Sequence, residues 1–451
     1  MTRQQLRRRG RLLGVGATVA ALLATAACGG PDTPGGGTEG GGVGSEGPVT
    51  VWTDSGVDAQ LVEQYLSDWA EENGVDLTVE HQVGNEYQQT IQLALQTGNG
   101  PDVFAGNRTN VLIAAGYVMP LDDFVTDDIR EAYGDLLDPP QTYMSGGSLY
   151  TLPSSITTTR LAYNRDIFTA AGLDPDAPPE TLGEMREACE AIVAAGDASC
   201  VGVPLNWNGF ATWYVDRMAA SSDDDLTVQG AFRLSEQQYD FSVYEPVIEF
   251  FREAVAQGWA YPGASSVAND IIRTEFAAGN IGMVMSASWD VGELNEVLNT
   301  EIGWSASNIP VPDGAEFVQN LGSSGGGWAI NAATEAPETA GAIVMALASP
   351  EVAEMNAAEF ATMPIRPDVE MPDRDDQLLD YAPTDTDNPT LNSPVAGLAI
   401  QGETYRDVLT ALVLGDEEIA PALQELTDRY NAALDEAVED GSVNLADYAG
   451  S

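Results

Sequence analysis

The chain has 451 residues, with 18 basic and 70 acidic side chains and one histidine, for a formal net charge of −52. All 18 bases are arginine, and a chain without lysine has no P-loop, Schiff-base lysine or pyridoxal site. Such a surface lacks the basic patches that nucleic acid and anionic membrane require, while 44% hydrophobic residues suffice for a large core.

The predicted elements begin with a leader. Arg7, Arg8, Arg9 and Arg11 precede an apolar run from Leu12 to Ala27, which is shorter than the roughly 20 residues of a membrane span. A basic cluster, a short apolar stretch and small residues before a break are the marks of a secretory signal. The string Leu23 to Gly29, "LATAACG", resembles a lipobox, whose cysteine is lipidated and becomes the new N-terminus. Residues 1–27 are therefore expected to be removed, with Cys28 carrying lipid and the Gly-rich residues 28–47 acting as a flexible tether; ordinary cleavage near Ala27 with an incidental cysteine is the alternative. The arginine pairs leave Sec and twin-arginine export both open. Five arginines fall in the leader, so 13 remain against 70 acids and the exported part stands at −57.

About 400 residues beyond the tether exceed one core and predict two lobes. "PVTVWT" (Pro48 to Thr53) reads as a strand, and Leu61, Val62, Tyr65, Leu66 and Trp69 follow at helical spacing. "VDLTVEHQV" and "DVFAG" are the next strands, separated by the helix "NEYQQTIQLALQTG". This alternation predicts a parallel sheet with right-handed crossovers. Ligands of such sheets sit beyond the carboxyl ends of the strands, which places "TDSG", "GNEY" and "GNR" on one binding rim.

Further along, Thr181 and Glu184 form a capping box ahead of Met185, Ala188 and Ile192. Cys189 and Cys200 flank "EAIVAAGDAS" and read as one disulfide from a helix to the next strand, with two free buried thiols as the alternative. "FAAGNIGMVMSASWDVGELN" reads as a helix end, a buried strand and a loop bearing Trp289; Ile419, Leu423, Leu426, Tyr430 and Leu434 outline a final amphipathic helix. His81 is a strand-end residue. After Cys28 only Cys189 and Cys200 remain, which with one histidine are too few for a zinc or iron–sulfur centre, and no cofactor is expected.

Six stretches, in order, carry a resemblance: "QTGNGPDVFAGN", "AGYVMPLDD", "LYTLPSSITTTRLAYNRDIFTAAGLDPDAPPETLGEM", "FAAGNIGMVMSASW", "GGWAI" and "LVLGDEEIAPALQELTDRY". The chain resembles the large solute-binding proteins of carbohydrate ABC importers, the group that includes maltose-binding protein, from about Val49 to about Leu434. The resemblance implies an α/β, two-lobed periplasmic-binding-protein-like fold (type II), each lobe a parallel-rich sheet flanked by helices, with a hinge of crossing strands. One lobe would comprise 48–156 plus 309–366 and the other 157–308 plus 367–451. It implies a carbohydrate held between the lobes, permease subunits of an ABC transporter as partners, membrane attachment only through the N-terminal lipid, and a monomer.

The same resemblance points to ligand residues. Asp54 and Ser55 follow the first strand, and Asn107 and Arg108 follow the third, with Asn107 replacing an acid. Thr157 and Asn208 occupy cleft positions, Asn208 where the maltose binder has a glutamate. Trp289 matches a stacking tryptophan, and Arg406 lies near a C-terminal ligand arginine without the aromatic pair that precedes it there. Trp52, Trp207, Trp213 and Trp328 are further stacking candidates, whereas Trp69 is expected in the core.

Two readings compete with sugar binding. A secreted glycoside hydrolase needs two carboxylates about 5–5.5 Å or 6.5–9.5 Å apart, but the cleft positions hold Asn107, Thr157 and Asn208. The same fold could instead take a polyol, a polyamine or an amino acid. The acidity itself suggests a salt-loving host: self-repulsion of this size opposes a compact body in dilute buffer, whereas at about 1 M salt the screening length is roughly 3 Å. The melting temperature is accordingly expected to rise strongly from dilute buffer to molar NaCl. A thermal melt without any salt response would remove that argument.

Overall fold

The structure is a computed structural model; it describes residues 47–448 apart from 55–58, 83, 107–109, 138–142, 197, 361–362, 367, 371–376, 383, 385–386 and 390–392. Cys28, Ser55, Asn107 and Arg108, as well as the signal and nearly all of the tether, fall outside the described residues.

The chain begins with strand β1 (Val49–Asp54), the helix Ala59–Asn73, strand β2 (Leu77–Gln82), the helix Gly84–Gln96 and strand β3 (Val103–Ala105). β1 pairs in parallel with both β2 and β3, so their carboxyl ends share one edge. Tyr87 fixes this edge by donating to the carbonyls of Trp52 (3.2 Å) and Ala105 (2.9 Å). At the opposite ends, Asp102 accepts from the Thr50 amide at 2.8 Å and the Thr334 hydroxyl at 2.6 Å.

β4 (Val118–Met119), the small hairpin β5 (Met144–Ser145) and β6 (Ser148–Leu149), and β7 (Leu152–Thr157) complete the first pass through this lobe. β8 (Thr159–Asn164) and β9 (Ser199–Val201) open the second lobe. A second hairpin follows, β10 (Phe232–Arg233) and β11 (Gln238–Tyr239), and then β12 (Ile281–Ala287) and β13 (Trp304–Ser307). The chain returns with β14 (Asn320–Asn331), β15 (Met363–Pro364) and β16 (Asp387–Pro389).

Two α/β lobes are thus built from discontinuous pieces. The first sheet runs β15-β7-β14-β3-β1-β2, with β4 and β16 also paired to β14; the second runs β13-β8-β12-β9. Both sheets are mixed, which corrects the expectation of parallel-rich ones. β14 runs antiparallel to β3, β4 and β7, and β8 runs antiparallel to β12 and β13.

The second lobe is the more aromatic. Phe210, Tyr239, Phe241, Phe251 and Tyr430 are all at most 1% exposed, and Leu423, Leu426, Tyr430 and Leu434 of the final helix Ile419–Asp440 close the core. β12 is buried at every position because sheet neighbours and helices cover both of its faces. Trp69 packs half-buried against the first core. The helix Leu182–Ala195 carries half of the expected capping box: Thr181 Oγ1 accepts from the Glu184 amide, but Glu184 reaches back to the amide of Glu180 instead of that of Thr181. Cys189 on that helix is bonded to Cys200 on β9, with the α-carbons 4.9 Å apart.

A single residue, Thr158, separates β7 of the first sheet from β8 of the second. There Arg160, 2% exposed, donates to Asp387 at 2.7 and 2.9 Å and to the carbonyls of Thr159, Asp380 and Ala382. Thr158 donates to the carbonyl of Tyr381 at 2.7 Å. Asp387→Ala would leave this guanidinium buried without its counter-charge. Loss of one partner of a buried pair costs on the order of 3–5 kcal/mol. Urea unfolding in high salt is expected to show a loss of that size for Asp387→Ala, and a much smaller one when Arg160→Met and Asp387→Leu are combined.

Candidate ligand-binding site

The end of β12 delivers the site. After Ala287 the chain turns, and Trp289 stands 39% exposed among otherwise buried neighbours: Ser288 is 2% and Asp290 3% exposed. A widened, π-helical turn from Ala211 to Asp216 brings Trp213 against it, ring centroids 6.2 Å apart and planes at 85°. The two indoles form a corner above a small hollow that opens to solvent. Trp207, Thr159, Asn269 and Met285 complete its walls, and Tyr214 and Asp290 also line it.

Each indole of the corner rests on an arginine. The Arg217 guanidinium lies 3.9 Å from the Trp213 centroid, and that of Arg273 lies 4.9 Å from the Trp289 centroid. Such stacking restrains the ring and is strongest where water is excluded. Arg217 is 2% exposed and donates to Thr159 Oγ1 at 3.0 Å and to the Thr212 carbonyl at 2.6 Å. Burial pulls its pKa down to about 10, with the neighbouring Asp216 charge opposing the shift.

Asp216 is itself buried and accepts from the hydroxyls of Tyr244 and Tyr405 and from the Gln229 amide. Burial raises its pKa against those hydrogen bonds. On the other side, Asp290 accepts from Ser286 Oγ at 2.9 Å and from the Ala287 amide at 3.0 Å, and lies 3.5 Å from Arg273. Its carboxyl is pushed up to about 6 by burial, with Arg273 and the hydrogen bonds pulling the other way. Indole faces with a few fixed polar groups below them suit a solute that has an apolar face and a hydroxyl edge.

Of the residues singled out in the sequence, Trp289 lies in this hollow, joined by the alternative candidates Trp207 and Trp213. Thr157 is 8% exposed at the end of β7, one residue from the lobe junction. Asn208 is exposed on the turn beside Trp207. Arg406 is half-buried, its guanidinium 5.5 Å from the Tyr405 ring, on the Asp216 side of the helix Tyr405–Leu414. None of these three lines the hollow. Asp54 ends β1 at the shared carboxyl edge. Trp328 is 7% exposed within the first core, and Trp52 packs half-buried nearby.

Sequence reasoning passed over Tyr214, Arg217, Arg273 and Asp290. The spacing of Trp213 and Arg217 was a usable signal, because residues four apart on a helical path are neighbours. Among the described residues no helix is long and apolar enough to cross a membrane, and no cluster of histidine, cysteine or acidic residues could hold a metal ion.

Comparison with known proteins agrees with this architecture. The family described as "Bacterial extracellular solute-binding protein" matches residues 53–354. The chain is 22% identical over 280 residues to the maltotriose-binding protein of Pyrococcus abyssi, a match covering 60% of this chain and 56% of that one. It is 25% identical over 226 residues to the sn-glycerol-3-phosphate-binding periplasmic protein UgpB of Agrobacterium fabrum, covering 47% and 48%. The match thus spans about half the length of these relatives.

Among solved structures, an α-D-tagatose-bound solute-binding protein of an ABC transporter from Thermotoga lettingae superposes with a TM-score of 0.69 at 19% identity, over 86% of this chain and 100% of that one. A protein from work on xylan utilization by Caldanaerobius polysaccharolyticus gives 0.68 at 18%, over 85% and 100%. At such identities the likeness speaks for the fold. The family match covers well over half of the chain, and the chain belongs to the bacterial extracellular solute-binding proteins.

Proposed function

We propose that this protein captures a sugar or oligosaccharide between its two lobes and delivers it to the permease of an ABC importer. The observation that carries the reading is the tryptophan corner: Trp289 stands 39% exposed and edge-on to Trp213, each ring backed by an arginine. A sugar ring has one face rich in C–H groups, which stacks on indole, and a rim of hydroxyls for fixed polar partners. The maltotriose-binding relative and the tagatose-bound structure support the carbohydrate class. Catalysis is not part of this reading, since capture and release require no bond to break.

In this proposal the lobes divide near residues 157, 308 and 366. Asp54, Ser55, Asn107 and Arg108 face the ligand from the first lobe, and Thr157, Asn208 and Arg406 approach it at the cleft margin. The protein acts as a monomer at the outer face of the cell membrane, held by lipid on Cys28 through its Gly-rich tether. Cys28→Ala is then expected to release the protein into the medium or leave it unprocessed, as fractionation and intact-mass measurement would read. Unchanged membrane association would overturn the anchor.

The site is tested at Trp289. A thermal-shift screen of mono- and oligosaccharides in high-salt buffer finds the ligand, since 100 times the dissociation constant adds about 2.7 kcal/mol of stability. Trp289→Ala should then weaken that sugar by on the order of 2 kcal/mol, as central aromatic anchors do. Its far-UV spectrum should match the wild type. Trp69→Ala should lower stability and spare affinity. Wild-type affinity in Trp289→Ala would mean the site lies elsewhere.

A further inference from the structure

Beneath the tryptophan corner three polar atoms have no hydrogen-bond partner among the described residues: Tyr214 Oη, Asp290 Oδ1 and Arg273 Nε. Tyr214 is 1% and Asp290 3% exposed, and both line the hollow. Asp290 uses its other oxygen, Oδ2, for Ser286 and the Ala287 amide. Arg273 pairs with Asp270, lies 3.5 Å from Asp290 Oδ1 through its NH1 group, and is packed over Trp289. The charges of Asp290 and Arg273 both act on the Tyr214 phenol, whose pKa burial raises well above its usual range. The three groups therefore form one neighbourhood.

A buried polar group without a partner is costly; two of these three belong to residues that line the hollow, Tyr214 and Asp290, and the third, Arg273, is packed against Trp289 beside them. The set comprises one acceptor, Asp290 Oδ1, and two donors, the Arg273 Nε–H and the Tyr214 hydroxyl. A hydroxyl has one hydrogen to donate and two lone pairs to accept, so it matches the set. An ammonium has only hydrogens and meets the Arg273 charge. A phosphate has only lone pairs and meets the Asp290 carboxylate.

We infer that Tyr214, Asp290 and Arg273 form a subsite that reads one hydroxyl of a neutral sugar whose ring rests in the tryptophan corner. The inference rests on the sugar reading above and narrows it. It makes Tyr214 a specificity residue whose oxygen serves the ligand and not the fold.

Tyr214→Phe removes only that oxygen. In the ligand-free protein its melting temperature should equal or slightly exceed that of the wild type. Titrations with maltotriose, xylotriose, raffinose and tagatose, alongside glycerol 3-phosphate, then compare wild type, Tyr214→Phe and Asp290→Asn. Each sugar that binds the wild type should bind both variants at least about tenfold more weakly, and glycerol 3-phosphate should bind none of them. Equal sugar affinity in Tyr214→Phe, or a marked fall in its ligand-free melting temperature, overturns the subsite and leaves the sugar reading standing. Should Asp290→Asn fail to fold, the Tyr214→Phe result decides alone. A wild type that binds none of the sugars overturns the sugar reading, and the subsite with it.

Discussion

The Arg160–Asp387 pair is the constraint on which the architecture turns. Both side chains are at most 2% exposed, so neither charge has water to fall back on. Burial of that kind is tolerated only when every donor and acceptor is met, and Arg160 meets the requirement with a two-pronged carboxylate and three carbonyls. Its partners come from different passes of the chain. Arg160 is the second residue of β8 in the second sheet, Asp387 pairs with Asn320 where β14 enters the first, and the residues from Asp380 to Ala382 precede Asp387 in the chain. A second device works alongside: Asp380 accepts from the Ser305 hydroxyl and the Ala306 amide of β13. The strands that cross between lobes are thereby gathered at one point.

From that junction two chains of contact run to the tryptophan corner. The first starts at Thr159, one residue beyond the crossing. Its hydroxyl accepts from Arg217, Arg217 stacks on Trp213, and Trp213 meets Trp289 edge to face. The second starts at Tyr381, whose carbonyl accepts from Thr158. Its hydroxyl donates to Ser286 Oγ at 2.8 Å, and Ser286 donates in turn to Asp290. One chain sets the wall of the hollow and the other its floor. Rigid neighbours fix where the indoles stand, which matters because a stacking face is useful only when held in place.

How much of this was legible in the sequence depends on the range of the interaction. The helix Leu182–Ala195 was readable from Thr181 and Glu184, and the final helix from its apolar stripe, because both signals are local. The apolar run before Trp289 announced a buried strand. Strand direction was readable for β1, β2 and β3, where helices alternate with the strands, but nothing in β7, β8 or β14 states which way its neighbour runs. Trp213 and Tyr214 illustrate the limit within the site. A regular helix would turn these neighbours about 100° apart, and the widened turn that lets both line the hollow has no periodic signature. Arg273 comes from the distant helix Asn269–Ala277, and only the fold brings it to Asp290.

The charge of the chain bears on what such a site can hold. At −52 overall, the long-range field gathers cations and repels anions wherever ionic strength is low enough to transmit it. A neutral solute feels neither effect. Its affinity has to come from short-range contacts: stacking on an indole, exclusion of water, and hydrogen bonds to groups already aimed. Those are the features the hollow provides, and its charges are turned inward, with Arg217 set against Asp216 and Thr159, and Arg273 against Asp270 and Asp290. Paired in this way, the arginines hold the aromatic rings without presenting a net charge to the solute. A protein so acidic can therefore recognise an uncharged ligand by contacts that salt screens little, while its surface charge stays outside the binding chemistry.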